Sequence, residues 1–552
     1  MIKEYFWVAV IGVLLNAALI IMDAAGFLPL SLINFVLVFS GVFALALYRP
    51  IWVFWLFIIS LPLESVIISS QQFPVSFRPF QMIGLMLFLA TVILIVLKIK
   101  NKNLPALIKF DRSKFFERGV HFGFQDSLVL TLGLLSFVSL ANALVFGVTL
   151  KLNLVLLSFV MLYFLARFYL QERQRKLEAL WFFVATSLPV LIFGIYQAVA
   201  FKMNWIDFQV FAERSNGTFT EPDWFGIYLV FLGAVIYWIK LQLFKTKNST
   251  MIAQWEIRRV GQWFLNFYLF LIFVVLLLTV ARSAWLGFLG VTITYFGLLI
   301  WQKYLFKLKR FSFKSFFRET LWMGVAYLLS ILVVMGFGLS NFNLANRAGS
   351  SVSGLQEITI SCQKNSEVPA EISSIEILEQ YNCRHIRLDE IHTEKNLGLE
   401  VKKVFRPDPN IEIRKNIYGV TWSEIKKHPI IGQGLGSSSE VLGKDNYGHG
   451  LNASNIFLEV WFSWGILGLI TFSILFLSPG FKAVKDICLF YRSSPRRTKA
   501  ENKSEQPSLS LFVILTSGAL IIPNLFNAGI FLVIFWIWLA LINSQDKFIQ
   551  IK

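Results

Sequence analysis

GHGLNASNIFLEVWFSWGILGLI, residues 448–470, sets a polar turn bearing histidine and asparagine directly before an apolar run. Continued to about residue 478, the run is long enough to cross a hydrocarbon core roughly 30 Å thick. In a helix beginning near His449, the residues His449, Asn452, Asn455 or Ile456, and Glu459 recur at steps of three and four and share one stripe. Glu459 then lies about a turn below the membrane surface, where an ionisable side chain is costly and therefore a functional candidate. The same stretch closes the one long polar region between apolar runs, residues 341–454. A site at the mouth of a membrane protein is the first expectation.

Composition extends that reading to the whole chain. Of 552 residues, 56% are hydrophobic and 15% charged, against about a quarter charged in soluble domains. Apolar runs near 5–22, 27–47, 51–67, 79–97, 127–146, 152–169, 178–200, 224–243, 263–280, 284–302, 320–339, 455–478, 508–525 and 530–543 predict an all-α integral membrane protein. That gives about fourteen transmembrane helices, or about twelve if the tight first and last pairs do not each cross twice. The first run, Tyr5 to Met22, is read as a retained span, because Ala24-Ala25-Gly26 makes a poor cleavage site. The expected organisation is an N-terminal bundle over 1–340 of about eleven helices, a loop domain over 341–454, and C-terminal helices over 455–552, about three in number.

The net charge of +18 does not point to nucleic acid. The cations sit in short loops at 98–126, 170–177, 244–262, 303–319 and 479–507, as the positive-inside bias requires of cytoplasmic loops. The regions 68–78, 201–223, Ala281 to Ser283 and 341–454 then face the exterior. Within the last, ITISC at 358–362 and IRLDEI at 386–391 alternate like strands, and Ile413 to His428 forms an amphipathic helix ending before Pro429. GQGLG at 432–436 reads as a flexible turn and lacks the strand and lysine-bearing helix of a nucleotide loop. Three cysteines exclude a disulfide framework or zinc cluster. Cys488 should face the cytoplasm. For Cys362 and Cys383 both a disulfide and two free thiols remain open.

Three exterior segments carry chemistry-bearing groups: RSNGTFTEPDWFGIYL from Arg214, VARSAWLGFLG around Arg282, and the His449 segment. Taken singly, an arginine at a span boundary is more often a snorkelling anchor than a ligand. Arg78 most simply pairs with Glu64, with a contribution to a binding site as the alternative.

Together, the segments resemble the O-antigen ligase and O-antigen polymerase superfamily of membrane glycosyltransferases. The resemblance covers roughly 200–475 and rests on Arg214, Gly217, Phe219, Pro222 and Asp223; on Arg282 and Ser283, with Ala281 a departure; and on Arg414, Trp422, His428-Pro429, Gly432, Gly434 and Gly436 ahead of the last motif. There the family pattern places a histidine beside the asparagine, whereas Ser454 precedes Asn455 here and His449 lies five residues earlier. The resemblance implies a GT-C-like membrane fold with a mixed extracytoplasmic loop domain in a bacterial inner membrane. It implies a polyprenyl-diphosphate-linked glycan donor and a lipid, glycan or protein acceptor, with no cofactor or metal. Arg214 and Arg282 would hold the diphosphate, since guanidinium stays charged and binds phosphate in two-pronged fashion. His449 would take the acceptor's proton. Arg414, Asn452, Ser454, Asn455, Glu459 and Arg78 would line the substrate site. A lipid-linked sugar transporter and a non-catalytic surface-binding protein are the alternatives.

Overall fold

The computed structural model describes residues 2–70, 72, 76–100, 122–203, 205, 214–245, 252–305, 313–340, 342, 344–386, 390–444, 450–493 and 508–544. Much of the basic inter-helix sequence lies outside these residues. Helices α1 (Ile2–Ala24), α2 (Leu32–Tyr48), α3 (Pro50–Ser60) and α4 (Pro79–Lys100) open the bundle. They are followed by α5 (Phe124–Val138), α6 (Phe146–Tyr169), α7 (Arg173–Thr186) and α8 (Leu188–Lys202). Next come α9 (Pro222–Lys245), α10 (Ile252–Thr279), α11 (Arg282–Leu305) and α12 (Phe313–Gly336).

Ten helices among the described residues are long and apolar enough to cross a membrane, with Arg173–Lys202 counted as one. The other four expected spans are shorter apolar helices: α2, α3, and near the C-terminus α18 (Ser508–Asn524) and α19 (Val533–Asn543). An 11-residue helix such as α3 or α19 rises about 16 Å, roughly half the hydrocarbon thickness. Fourteen full crossings therefore do not follow from these helices. Proline bounds three of the four, α19 being the exception. Pro50 is accommodated at the first turn of α3 but cannot continue α2, Pro62 follows the end of α3, and Pro523 lies at the end of α18.

Helix α9 occupies the centre, with 94% of its span window buried. It packs on α10, α11 and α18. Gly226 permits a close approach: a Cβ there would stand 2.6 Å from that of Ala284 and 3.2 Å from that of Ala281. The unexpected alanine at 281 thus fills the contact surface between α9 and the turn into α11.

The long polar region folds into α13 (Leu344–Ser353), β1 (Leu355–Cys362), β2 (Cys383–His385), α14 (Ile391–Asn396), β3 (Glu400–Pro407), α15 (Pro409–Lys427) and α16 (Ser438–Leu442). The sheet is antiparallel in the order β2-β1-β3, with Cys362 opposite Cys383 and Leu355 opposite Pro407. Cys362 and Cys383 form a disulfide. The strand expected at 386–391 is corrected: β2 ends at His385, residues 387–389 lie outside the described set, and Ile391 begins α14. The amphipathic helix expected from Ile413 begins earlier, at Pro409.

The final long element, α17 (Ile456–Ser493), is broken at Gly465, whose φ of 67° and ψ of −170° are non-helical. The GQGLG turn fills the break. Gln433 N donates to Phe462 O at 2.9 Å, Gly434 N to Ser463 O at 2.9 Å, and Ile466 N to Pro429 O at 2.8 Å. Backbone groups freed by a break inside a membrane must find partners, and this turn provides them. Its glycines are required by contact: a Cβ on Gly432 would lie 2.6 Å from Ser463 backbone, and one on Gly465 would lie 2.0 Å from Ile430 O.

Candidate functional site

Arg214 and Arg282 meet at one end of the bundle. Arg214 Nε donates to Thr279 O at 2.8 Å and Ser215 N to Leu278 O at 3.1 Å, tying the Arg214 segment to the turn that leads into Arg282. That turn is strained. Val280 adopts φ 52°, a costly conformation for a β-branched residue, and the chain emerging from it starts α11 at Arg282.

Gln197 of α8 organises the Arg214 segment from below. Its Oε1 accepts from Gly217 N at 2.7 Å and Ser215 Oγ at 3.0 Å, while its Nε2 donates to Asn216 Oδ1 at 3.1 Å. Gly217 turns with φ 55°, and a Cβ there would come within 2.7 Å of the Phe225 ring. Both features fix the direction in which Arg214 leaves its loop.

The sheet-bearing segment completes the cluster. Arg282 Nη1 donates to Asp408 Oδ2 at 3.0 Å and to Ser350 Oγ at 2.8 Å. Arg214 Nη2 lies 3.0 Å from Asp223 Oδ1. Arg347, one turn before Ser350 on α13, also lies here. Burial, then the like charges of Arg282 and Arg214, bring its pKa down to about 10, with Asp408 and Asp223 opposing. It therefore stays charged at neutral pH. Neither Arg347 nor Asp408 was a sequence candidate. Arg347 lies on the short helix α13 inside the long polar region, away from any apolar run or recognised pattern, and Asp408 is placed by β1–β3 pairing, a long-range contact.

A second group lies along α15. The Arg414 guanidinium sits over the Phe526 ring, 5.4 Å from its centroid, and Tyr418 Oη donates to Ser454 O at 3.5 Å. Helical rise puts Tyr418 about 15 Å along the axis from Asp408. Ser454, at φ 50°, is partly exposed. Asn455 caps α17, its Oδ1 accepting from Phe457 N at 3.0 Å and Leu458 N at 3.2 Å, and its Nδ2 donates to Leu525 O at 3.0 Å. Asn452 Oδ1 accepts from Ser454 N at 2.8 Å. Glu459 is buried, and its carboxylate accepts from Ser438 Oγ at 2.9 Å, Ala453 N at 2.8 Å and Ser463 Oγ at 3.5 Å. These bonds tie α16 and the preceding loop to α17. His449 lies outside the described residues, but the chain on either side is paired through a Lys444–Gly450 bridge and a Leu451 N to Gly443 O bond of 2.9 Å.

Arg78 pairs with Glu64. Their hairpin docks on the Arg214 loop through Ser65 N to Thr218 O at 2.7 Å, so Arg78 braces that loop. Among the described residues, no three His, Cys, Asp or Glu side chains gather as metal ligands would.

Fold and site together define a polytopic helical membrane protein with an arginine cluster at one end of its bundle, built jointly by span boundaries and a disulfide-bearing sheet segment. Residues 267–473, from within α10 to beyond the break in α17, match the family model described as O-antigen ligase, a similarity that supports the O-antigen ligase superfamily. No curated protein matches the chain. The family match and the apolar helices support a membrane function of O-antigen ligase or polymerase type.

Proposed function

We propose that this protein transfers a glycan from a polyprenyl diphosphate to an acceptor hydroxyl on the outer side of a bacterial cytoplasmic membrane. The observation that carries the reading is the convergence of Arg214 and Arg282 at the end of the bundle, Arg282 within the matched segment and Arg214 outside it but bonded to Thr279 O within it. The acceptor oxygen attacks the anomeric carbon as the bond from that carbon to the diphosphate oxygen breaks. Negative charge grows on the departing diphosphate, and guanidinium forks aimed at those oxygens stabilise it. The acceptor's proton passes to His449. The α15 group, with Arg414 and Ser454, suits the acceptor side, and exposed apolar helix faces suit the prenyl chain. The Cys362–Cys383 disulfide favours an oxidising, outer location for the sheet segment.

A transporter reading draws on the broken helix α17, since transporters build sites from interrupted helices. Here the groups freed at the break are already engaged by residues 429–434, which argues against a solute site there. The two readings separate in detergent. The purified protein should convert a synthetic prenyl-diphosphate glycan into a glycosylated acceptor without a sealed membrane, nucleoside triphosphate or added divalent metal. Flux in proteoliposomes with no covalent product across lipid, glycan and protein acceptors would instead establish a transporter.

A further inference from the structure

Arg347 is the one cation of the cluster carried by α13, outside the membrane bundle. Its Nε is buried without a hydrogen-bond partner, and its guanidinium rests over the Phe342 ring at 5.4 Å. Arg347 and Ser350 are three residues apart on one helix and so share a face. Ser350 Oγ accepts from Arg282, which sets Arg347 one turn from that contact. Among these described groups, three guanidiniums stand with two carboxylates, Asp223 and Asp408. Arg347 as a whole is half-buried, but its Nε donor is enclosed, and an enclosed donor left unmet is expensive unless a ligand meets it.

The sheet explains how Arg347 and Asp408 arrive together. Leu355 of β1 stands opposite Pro407 of β3, so the residues before β1 and after β3 leave the same end of the sheet. Asp408 N then donates to Gly354 O at 2.6 Å, joining the two exits. We propose that Arg347 is a third diphosphate-binding residue, so that the donor site is composite, with two arginines from the bundle and one from the sheet segment. This rests on the reading of the cluster as a lipid-diphosphate site and assigns the sheet segment a share in it.

The test uses full-length protein in detergent, titrated with inorganic pyrophosphate and with a short-chain prenyl diphosphate. Arg347→Gln should weaken binding of the prenyl diphosphate by about 10–100-fold, the loss expected for charge-assisted hydrogen bonds. Arg347→Lys should recover part of it, and Lys364→Ala, at an exposed position in the sheet segment, should change nothing. In turnover, Arg347→Gln should raise the donor KM more than it lowers kcat, a split that a merely structural role would not give. If Arg214→Ala and Arg282→Ala weaken binding while Arg347→Gln, folded by size exclusion and thermal melting, binds as wild type, the third-arginine proposal is overturned and the function reading stands. If none of the three weakens binding, both fall. Pyrophosphate binding that the prenyl diphosphate cannot displace would identify a small-anion site and overturn the lipid assignment. Should Arg347→Gln not fold, Arg347→Lys decides: unchanged affinity for both probes with unchanged KM overturns the proposal.

Discussion

At the scale of single residues, the arginines are distinguished from ordinary boundary anchors by what holds them. Arg282 donates simultaneously to Asp408 and Ser350, and Arg214 to Thr279 O and Asp223. Arg282→Lys keeps the charge but loses the fork, and turnover should fall by about 10²-fold or more with folding intact, as measured by initial rates on saturating donor. On the acceptor side, His449→Ala should lower kcat by about 10²–10⁴-fold while donor binding changes little. Glu459→Gln is expected to act differently. Its carboxylate receives Ala453 N, Ser438 Oγ and Ser463 Oγ, so the variant should lower the melting temperature in detergent yet retain turnover per folded molecule. Loss of transfer in Glu459→Gln or Ser454→Ala, with His449→Ala near wild type, would move the acceptor role away from His449. Arg214 and Arg282 were legible because each borders an apolar run inside a recognisable pattern. Arg347, Asp408 and Gln197 were not, because each acquires its meaning from a contact between segments distant in sequence.

At the scale of elements, hydropathy located the apolar helices among the described residues but did not reveal where helices stop, and it read α7 and α8 as one run. It counts side-chain transfer, whereas Pro50, Pro62 and Pro523 act on backbone donors and sterics, and Gly465 acts through a conformation outside the helical region. The GQGLG turn shows the same divide. Its composition announced flexibility, and the structure uses it as a rigid insert whose backbone occupies the break in α17. Gly465→Ala should therefore cost several kcal/mol, summing about 1–3 for a left-handed non-glycine residue and about 1–3 for overpacking against Ile430 O. Its check is a detergent melting curve, with a folded, wild-type-like midpoint as the contrary result. The sheet segment was only half visible in the sequence. β1 alternates cleanly, whereas β3 carries Lys402, Lys403 and Arg406 and gains its strand identity by pairing with β1.

For the whole molecule, composition alone was sufficient for the class, because an apolar fraction of 56% over 552 residues has few other outlets than a bilayer. The proposed orientation rests on the charge of the inter-helix sequence and on the disulfide, and it is testable with the native free thiol. In cells whose outer barrier has been permeabilised, an impermeant maleimide should label Asn396→Cys in the sheet segment and leave Cys488 unlabelled until the inner membrane is opened. The reverse pattern would invert the topology and put the arginine cluster on the wrong face. The central claim, that the arginine cluster holds a lipid diphosphate while its glycan is transferred, is met most directly by one stoichiometry. Purified protein in detergent is given a doubly labelled prenyl-diphosphate glycan and an acceptor, and the glycosylated acceptor and released prenyl diphosphate are counted together. Equal amounts of the two are expected in wild type, with a parallel loss of both in Arg282→Lys. Released carrier without acceptor product, or transfer untouched by Arg282→Lys, would contradict that claim.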